Sequence, residues 1–178
     1  MTSNVKITID SGNSELDKHL NQWMQWDKPG SKSYEDILTM INEKQWTNLE
    51  NIMNERLAFG TAGIRGVMGP GFGQMNDLVI IQTSQGLANY VLQNQSQTKS
   101  TDQVLSSGVV IGHDARHNSQ RWAVLTAGVF LRLGFKVYLY SKIVPTPYVP
   151  FAVTKYKATC GIVVTASHNP KEDNGYKV

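Results

Sequence analysis

The chain has 178 residues, 40% of them hydrophobic and 17% charged, with a formal net charge of +3. That length suits one well-buried domain, with a second only if both are small. Lysine and arginine are scattered without a dense basic run, which argues against a dedicated nucleic-acid surface and leaves room for a local anion site.

The single cysteine, Cys160, excludes an internal disulfide and fits a reducing compartment. Its place beside an apolar run marks it as a core thiol. No stretch reaches the length of a membrane-spanning helix. Met1 to Asp10 lacks the basic and apolar regions of a signal peptide. The expected location is therefore cytoplasmic, with no membrane partner.

Residues 1–13 are polar and read as loosely ordered. Leu16, Leu20, Trp23 and Met24 recur at helical spacing, predicting a helix over 14–26 with Ser14 as its N-cap, ended by Asp27-Lys28-Pro29-Gly30. Two more short helices are expected over 33–44 and 47–57. Trp23, Trp26 and Trp46 fit a role in clamping these helices onto the rest of the chain.

Residues 60–73 hold six glycines, with Thr61 and Arg65 among them, and read as a loop able to bring backbone N–H groups close to an anion. Asn76 or Asp77 caps a helix to about Gln95, with Leu78, Ile81, Leu87, Val91 and Leu92 as its apolar face. A polar linker over 93–103 follows. Strands are expected over 108–112, 136–140 and 158–165, and helices over 120–133 and 146–155. Strands and helices alternating in units of this size predict an α/β fold with a mainly parallel sheet.

The last strand ends at Thr165-Ala166-Ser167-His168-Asn169-Pro170, followed by Asn174-Gly175-Tyr176-Lys177. This puts a serine hydroxyl at the carboxyl end of a strand, where α/β sheets bind ligands. Pro170 and Asn174-Gly175 suggest a tight loop. His168 is adjacent to Ser167, and adjacent side chains normally diverge, so it is a poor serine-activating base. A hydrolase elbow would need Gly-x-Ser-x-Gly, which Ala166 and Asn169 break.

The serine string resembles the phosphoserine loop of the α-D-phosphohexomutases, the phosphoglucomutase and phosphomannomutase family. Phe59-Gly60-Thr61-Ala62-Gly63-Ile64-Arg65-Gly66 is similar to that family's N-terminal signature. Met75-Asn76-Asp77-Leu78, Gly112-His113-Asp114-Ala115-Arg116 and Val144-Pro145-Thr146-Pro147 follow in the family's order. The wording is closest to the phosphoglucomutase-2 and phosphopentomutase branch. The resemblance implies a three-layer α/β/α sandwich over 51–178, the family's domain I, preceded by a helical extension over 1–50.

The resemblance further implies a phosphosugar mutase working through a phosphoserine and a bisphosphate intermediate. Ser167 would carry the phosphoryl group, and also touch Mg²⁺ through it. Arg65 would face the phosphate, where a guanidinium fork suits its oxygens. Lys177 and His168 would share proton handling near the transferred group. Thr61 and Asn169 would contact substrate. From their place at the end of the first strand, Asp114 and Arg116 read either as a brace behind the serine loop or as a purely structural ion pair, and Asn174 either as a supporting residue or as turn chemistry.

A glucose 1,6-bisphosphate-type activator and a phosphosugar substrate follow from the same resemblance. The family's aspartate-rich metal loop is missing, and Glu172 and Asp173 read as solvated turn residues. The chain stops within the first of four family domains, so it reads as a fragment with little activity alone and an exposed sheet edge. The alternatives are a non-catalytic module binding sugar phosphate or a protein, and a serine hydrolase or phosphatase.

Overall fold

A computed structural model describes residues 9–95 and 97–178. The expectation for 1–13 therefore lies mostly outside the described residues. Within 9–13, Ile9 is buried, and the Ser11 N–H and hydroxyl both donate to the Asp17 carboxylate. This stretch is hydrogen-bonded, not loose.

Helices α1 (Ser14–Trp26), α2 (Lys32–Asn42) and α3 (Trp46–Met53) form a layer of their own. Asn13, not Ser14, caps α1: its backbone is extended, and its amide oxygen accepts from the N–H groups of Glu15 and Leu16. Ser31 caps α2 through the Tyr34 N–H. Leu16, Leu20, Trp23, Ile37, Leu49 and Met53 bury their side chains together with Phe72 and Leu78. Trp23 meets Phe72 edge-on at 5.2 Å, and the half-exposed Trp26 meets it at 6.0 Å.

Helix α3 ends four residues before the sequence suggests because the glycine segment occupies its carboxyl end. Gly73 N–H donates to the Ile52 carbonyl. Gly71 sits at φ +99°, where a Cβ would lie 2.5 Å from that same oxygen.

The glycine segment is also not all loop. Gly63–Val67 forms strand β1. Helix α4 (Asp77–Gln95) follows, capped by Asn76, whose side-chain oxygen accepts from Val79 N–H. Its buried face is Leu78, Val79, Ile80, Ser84, Ala88 and Val91, so Ile81, Leu87 and Leu92 fall at its margin. The end of the expected linker, residues 101–103, instead opens α5 (Thr101–Ser107). A capping box between Ser100 and Gln103 starts it.

Strand β2 (Val109–His113), helix α6 (Ser119–Arg132), strand β3 (Val137–Leu139), helix α7 (Tyr148–Tyr156) and strand β4 (Cys160–Val164) follow as expected to within one or two residues at most ends. The final strand β5 (Asp173–Lys177) includes the Asn174-Gly175 pair read as a turn.

The sheet order is β1-β5-β4-β2-β3. Strands β2, β3 and β4 are parallel, and β5 runs antiparallel to both β1 and β4. The C-terminal strand is thus interior, and the edges of the sheet are β1 and β3. Helices α4 and α6 cover one face, packing Trp122, Phe130 and Val79 over Ile64, Val109, Ile111, Ile162 and Tyr176. Helix α7 covers Val110 and Val163 on the other. This is a mixed α/β/α sandwich.

The β2–α6–β3 connection steps outward, and β3–α7–β4 steps back past β2. The two helices thereby land on opposite faces, and the carboxyl ends of β2 and β4 lie side by side. Among the described residues, no helix is long and apolar enough to cross a membrane.

Candidate active site

The loops leaving β2 and β4 meet at one point. Asp114, the residue after β2, receives a 2.6 Å hydrogen bond on Oδ2 from the Thr165 hydroxyl, the residue after β4. Thr165 Oγ1 in turn accepts from the Ser167 N–H at 3.0 Å. The other Asp114 oxygen accepts from the Ser119 hydroxyl at 2.7 Å and from Arg116 N–H at 3.0 Å. A half-buried carboxylate with so many donors is well satisfied and anchors the loop base.

Arg116 closes the loop from the other side. Its guanidinium donates to four backbone carbonyls: Ser167 at 3.0 Å, Asn169 at 2.7 Å, Pro170 at 2.6 Å and Asp173 at 3.1 Å. Its Nε lies 3.3 Å from the Asp114 carboxylate, which balances the charge. A planar fork can gather several acceptors that converge in this way.

Ser167 itself adopts φ +60°, a left-handed conformation that costs a non-glycine residue energy and needs surrounding structure to hold it. Arg116 and Thr165 supply that hold. The Ser167 side chain is exposed. His168 Nδ1 is 3.5 Å from Ser167 Oγ, at the outer limit of a hydrogen bond. His168 is exposed as well.

Arg65 reaches the same loop from β1, donating to the Asn169 side-chain oxygen at 2.6 Å. Asn169 is oriented at its other end by donating to the Asp173 carboxylate at 2.7 Å. Asp173 therefore opens β5 and positions Asn169, and is not a solvated turn residue; Glu172 is exposed.

Arg65 pairs across the ladder with Gly175, and Lys177 with Gly63. Side chains two residues apart share a face of a sheet, so Arg65 and Lys177 are diagonal neighbours. Neither makes an ion pair among the described residues. The sheet face beside the serine loop thus carries two neighbouring cations without a carboxylate partner among the described residues, of which Arg65 reaches the loop, a setting suited to an anion.

Asn174 is fully buried in β5. Its amide donates to the His117 carbonyl and the Ser119 hydroxyl, both at 2.9 Å, tying β5 to the loop that follows β2. Gly175 is required there: a Cβ would lie 2.7 Å from the Thr165 carbonyl and 2.9 Å from that of Ile64.

The Lys177 side chain has no hydrogen bond to the serine loop among the described residues, and neither has Thr61. Thr61 lines a separate cavity of about 540 Å³ with Phe59, Tyr90 and Val178. Thr165, Ser119 and Asp173 were not singled out from sequence. Thr165 belonged to the serine string, and the alternation of the strand before it is the signal that could have aimed its hydroxyl at a neighbouring strand.

The Mg²⁺ that the resemblance implies does not find a cage here. Among the described residues, no three His, Cys, Asp or Glu side chains converge to hold a metal, and a hard cation needs several oxygens. Ser167 is at most one ligand.

Comparisons with known proteins address the family and the fold. Residues 56–178 match the model of the phosphoglucomutase/phosphomannomutase α/β/α domain I. The chain is 45% identical over 171 residues to a human phosphopentomutase, covering 93% of this chain and 27% of that protein. It is 44% identical over 174 residues to a human glucose 1,6-bisphosphate synthase, with 94% and 27% covered. A Saccharomyces cerevisiae phosphoribomutase is 44% identical over 168 residues, with 93% and 26% covered.

Among solved structures, one described as that of a candidate phosphomannomutase from Thermus thermophilus superposes with a TM-score of 0.58 at 31% identity, covering 69% of this chain and 25% of that one. The chain spans about a quarter of the length of these relatives. By its match over 56–178, its sheet and its serine loop, the chain belongs to the phosphoglucomutase/phosphomannomutase family.

Proposed function

We propose that Ser167 is the phosphoryl carrier of a phosphosugar mutase, and that this chain is its serine-bearing domain. The observation carrying this reading is the exposed Ser167 on a left-handed backbone, held by Thr165 and Arg116 in a loop whose Asn169 is bonded to Arg65. Two of its relatives are named phosphopentomutase and phosphoribomutase, and the reaction in this reading interconverts a sugar 1-phosphate with a 6-phosphate, or with a 5-phosphate on a pentose.

In the forward half-reaction the bond from phosphorus to Ser167 Oγ breaks as one forms to a hydroxyl of the sugar monophosphate. The sugar hydroxyl gives its proton to a nearby base, and Oγ takes up a proton as it is released. The bisphosphate formed turns over and returns its other phosphoryl group to Ser167, with the two proton movements reversed. Such transfers depend on positioning and on neutralising equatorial oxygens.

In this chain Arg65 supplies a bidentate donor for phosphate, and Lys177 a point charge beside it. Asn169, fixed between Arg65 and Asp173, orients the loop rim. Lys177 or His168 moves the proton; His168 lies on the exposed side of Ser167, at the edge of hydrogen-bond reach. Bound Mg²⁺ would add charge neutralisation, but its cage must come from residues outside this chain. The 178-residue chain is accordingly expected to complete the phosphorylation of Ser167 and not the full mutase cycle.

The test is peptide mass spectrometry after incubation with glucose 1,6-bisphosphate and Mg²⁺. A phosphate mass on the Ser167 peptide, absent in Ser167→Ala, is the expected result. Label on another residue would remove the carrier role from Ser167. A chain that is never labelled would favour a module that only binds sugar phosphate.

A further inference from the structure

We propose that the free edge of β3 and the outer face of α7 dock an extended acidic segment of a partner protein. The stretch from 115 to 171 contains no aspartate or glutamate, yet holds eight of the 17 lysines and arginines. Four of them, Lys136, Lys142, Lys155 and Lys157, flank β3 or lie on and just after α7. All four are exposed and make no ion pair among the described residues. Residues 10–55 carry the opposite balance, nine carboxylates against four lysines. The basic face is therefore left for an outside anion to neutralise.

The aromatic arrangement selects what kind of anion. Tyr138 and Tyr156 stack at 4.7 Å and 5° between planes. Lys136 Nζ sits 4.8 Å from the centre of the Tyr138 ring, and Lys155 Nζ 5.6 Å from that of Tyr156. Each ring thus has one face against the other tyrosine and one under an ammonium group. Neither is free to stack a base, which disfavours single-stranded nucleic acid.

The surface offers a peptide more. Strand β3 ends the sheet, so its outer backbone groups face no strand among the described residues. Beside it a cavity of about 620 Å³ opens between Tyr140, Tyr148, Phe151 and Tyr156. Phe151 is 66% exposed and Tyr148 55%, unusual for large apolar side chains that serve no contact. A strand added at β3 would present alternate side chains to opposite faces. The lysines and the cavity share the α7 face of β3, so the peptide residues on that one face supply both the apolar side chains for the cavity and the carboxylates for Lys136 and Lys155.

The probe is a short fluorescein-labelled peptide that alternates threonine with glutamate or phenylalanine, so that both recognised side chains share one strand face, titrated with the chain by fluorescence anisotropy. Its lysine-for-glutamate counterpart and a labelled oligothymidylate serve as comparisons. The expected result is saturable binding of the acidic peptide alone, weakened about tenfold by raising salt from low to physiological strength. The double variant K136E/K155E should abolish it, and Phe151→Ala should weaken it about tenfold.

Both changes lie on the surface, and circular dichroism of the variants checks that the fold is kept. Tighter binding of the oligonucleotide would overturn the proposal, as would peptide binding that survives K136E/K155E or no peptide binding at all. Self-association of the chain that the same variants abolish would assign the face to a second copy and overturn it equally.

Discussion

Thr165 uses one hydroxyl twice, donating to Asp114 and accepting from the Ser167 backbone. Replacing it by valine keeps the volume but leaves a carboxylate oxygen and an amide short of a partner. Thr165→Val is expected to lower stability by about 1–3 kcal/mol and to slow labelling of Ser167, whereas Thr165→Ser should restore both. Urea unfolding together with phosphopeptide yield measures this, and normal labelling of the valine variant would remove Thr165 from the loop's positioning. Arg65→Ala acts differently. Arg65 is exposed and bonded to an amide oxygen, so its loss should leave the unfolding midpoint nearly unchanged while reducing labelling. Arg65→Lys should recover only part, because an ammonium cannot form the fork. The serine string was legible in the sequence because its chemistry is local. The partners of Ser167 were not all legible, because Asp114 lies 51 residues from Thr165 and meets it only across the β2–β4 ladder.

At the scale of elements, β5 decides how the site is closed. Its Asn-Gly pair has turn chemistry in isolation. Here burial of Asn174 and the narrow space at Gly175 make both residues interior strand positions. Gly175→Ala should cost roughly 1–3 kcal/mol by forcing apart the backbones of Thr165 and Ile64, and should disturb the loop and β1 together. Thermal unfolding of the variant checks this; a change near zero would mean that the strands have room to shift. Helix α5 shows the reverse case. Its capping box is written in Ser100-Thr101-Asp102-Gln103, a signal overlooked within a polar stretch. Ser100→Ala should lower stability by about 1 kcal/mol without touching Ser167, which makes it a control for variants of the loop.

Across the whole molecule the two ionisable groups most affected by burial lie near each other in the core. Burial pushes the Cys160 thiol up to about 12, and raises the Tyr176 hydroxyl in the same direction despite its hydrogen bond with Ser84. The folded state therefore holds these protons to higher pH than the unfolded chain. Their contribution to stability is complete below the ordinary thiol value of 9.0 and declines as pH rises toward about 12, since the unfolded state then binds fewer protons. Urea midpoints that fall through this alkaline range are expected, and a flat profile would contradict the assigned burial. The native thiol should also react with iodoacetamide near neutral pH about a thousandfold more slowly than in urea, because so little thiolate is present.

The sequence by itself determined the elements that carry their own periodicity or caps, the alternation that makes an α/β sheet, and the serine loop at the end of a strand. These depend on residues close together along the chain. Tertiary structure alone decided that the glycine segment pairs as strand β1 and that the last residues thread between β1 and β4. It also decided that Arg116 binds the loop carbonyls and that Thr61 stands apart from the serine. Each of those outcomes rests on backbone groups finding partners tens of residues away. Local propensity cannot rank such pairings, because their free energy exists only once the sheet has assembled.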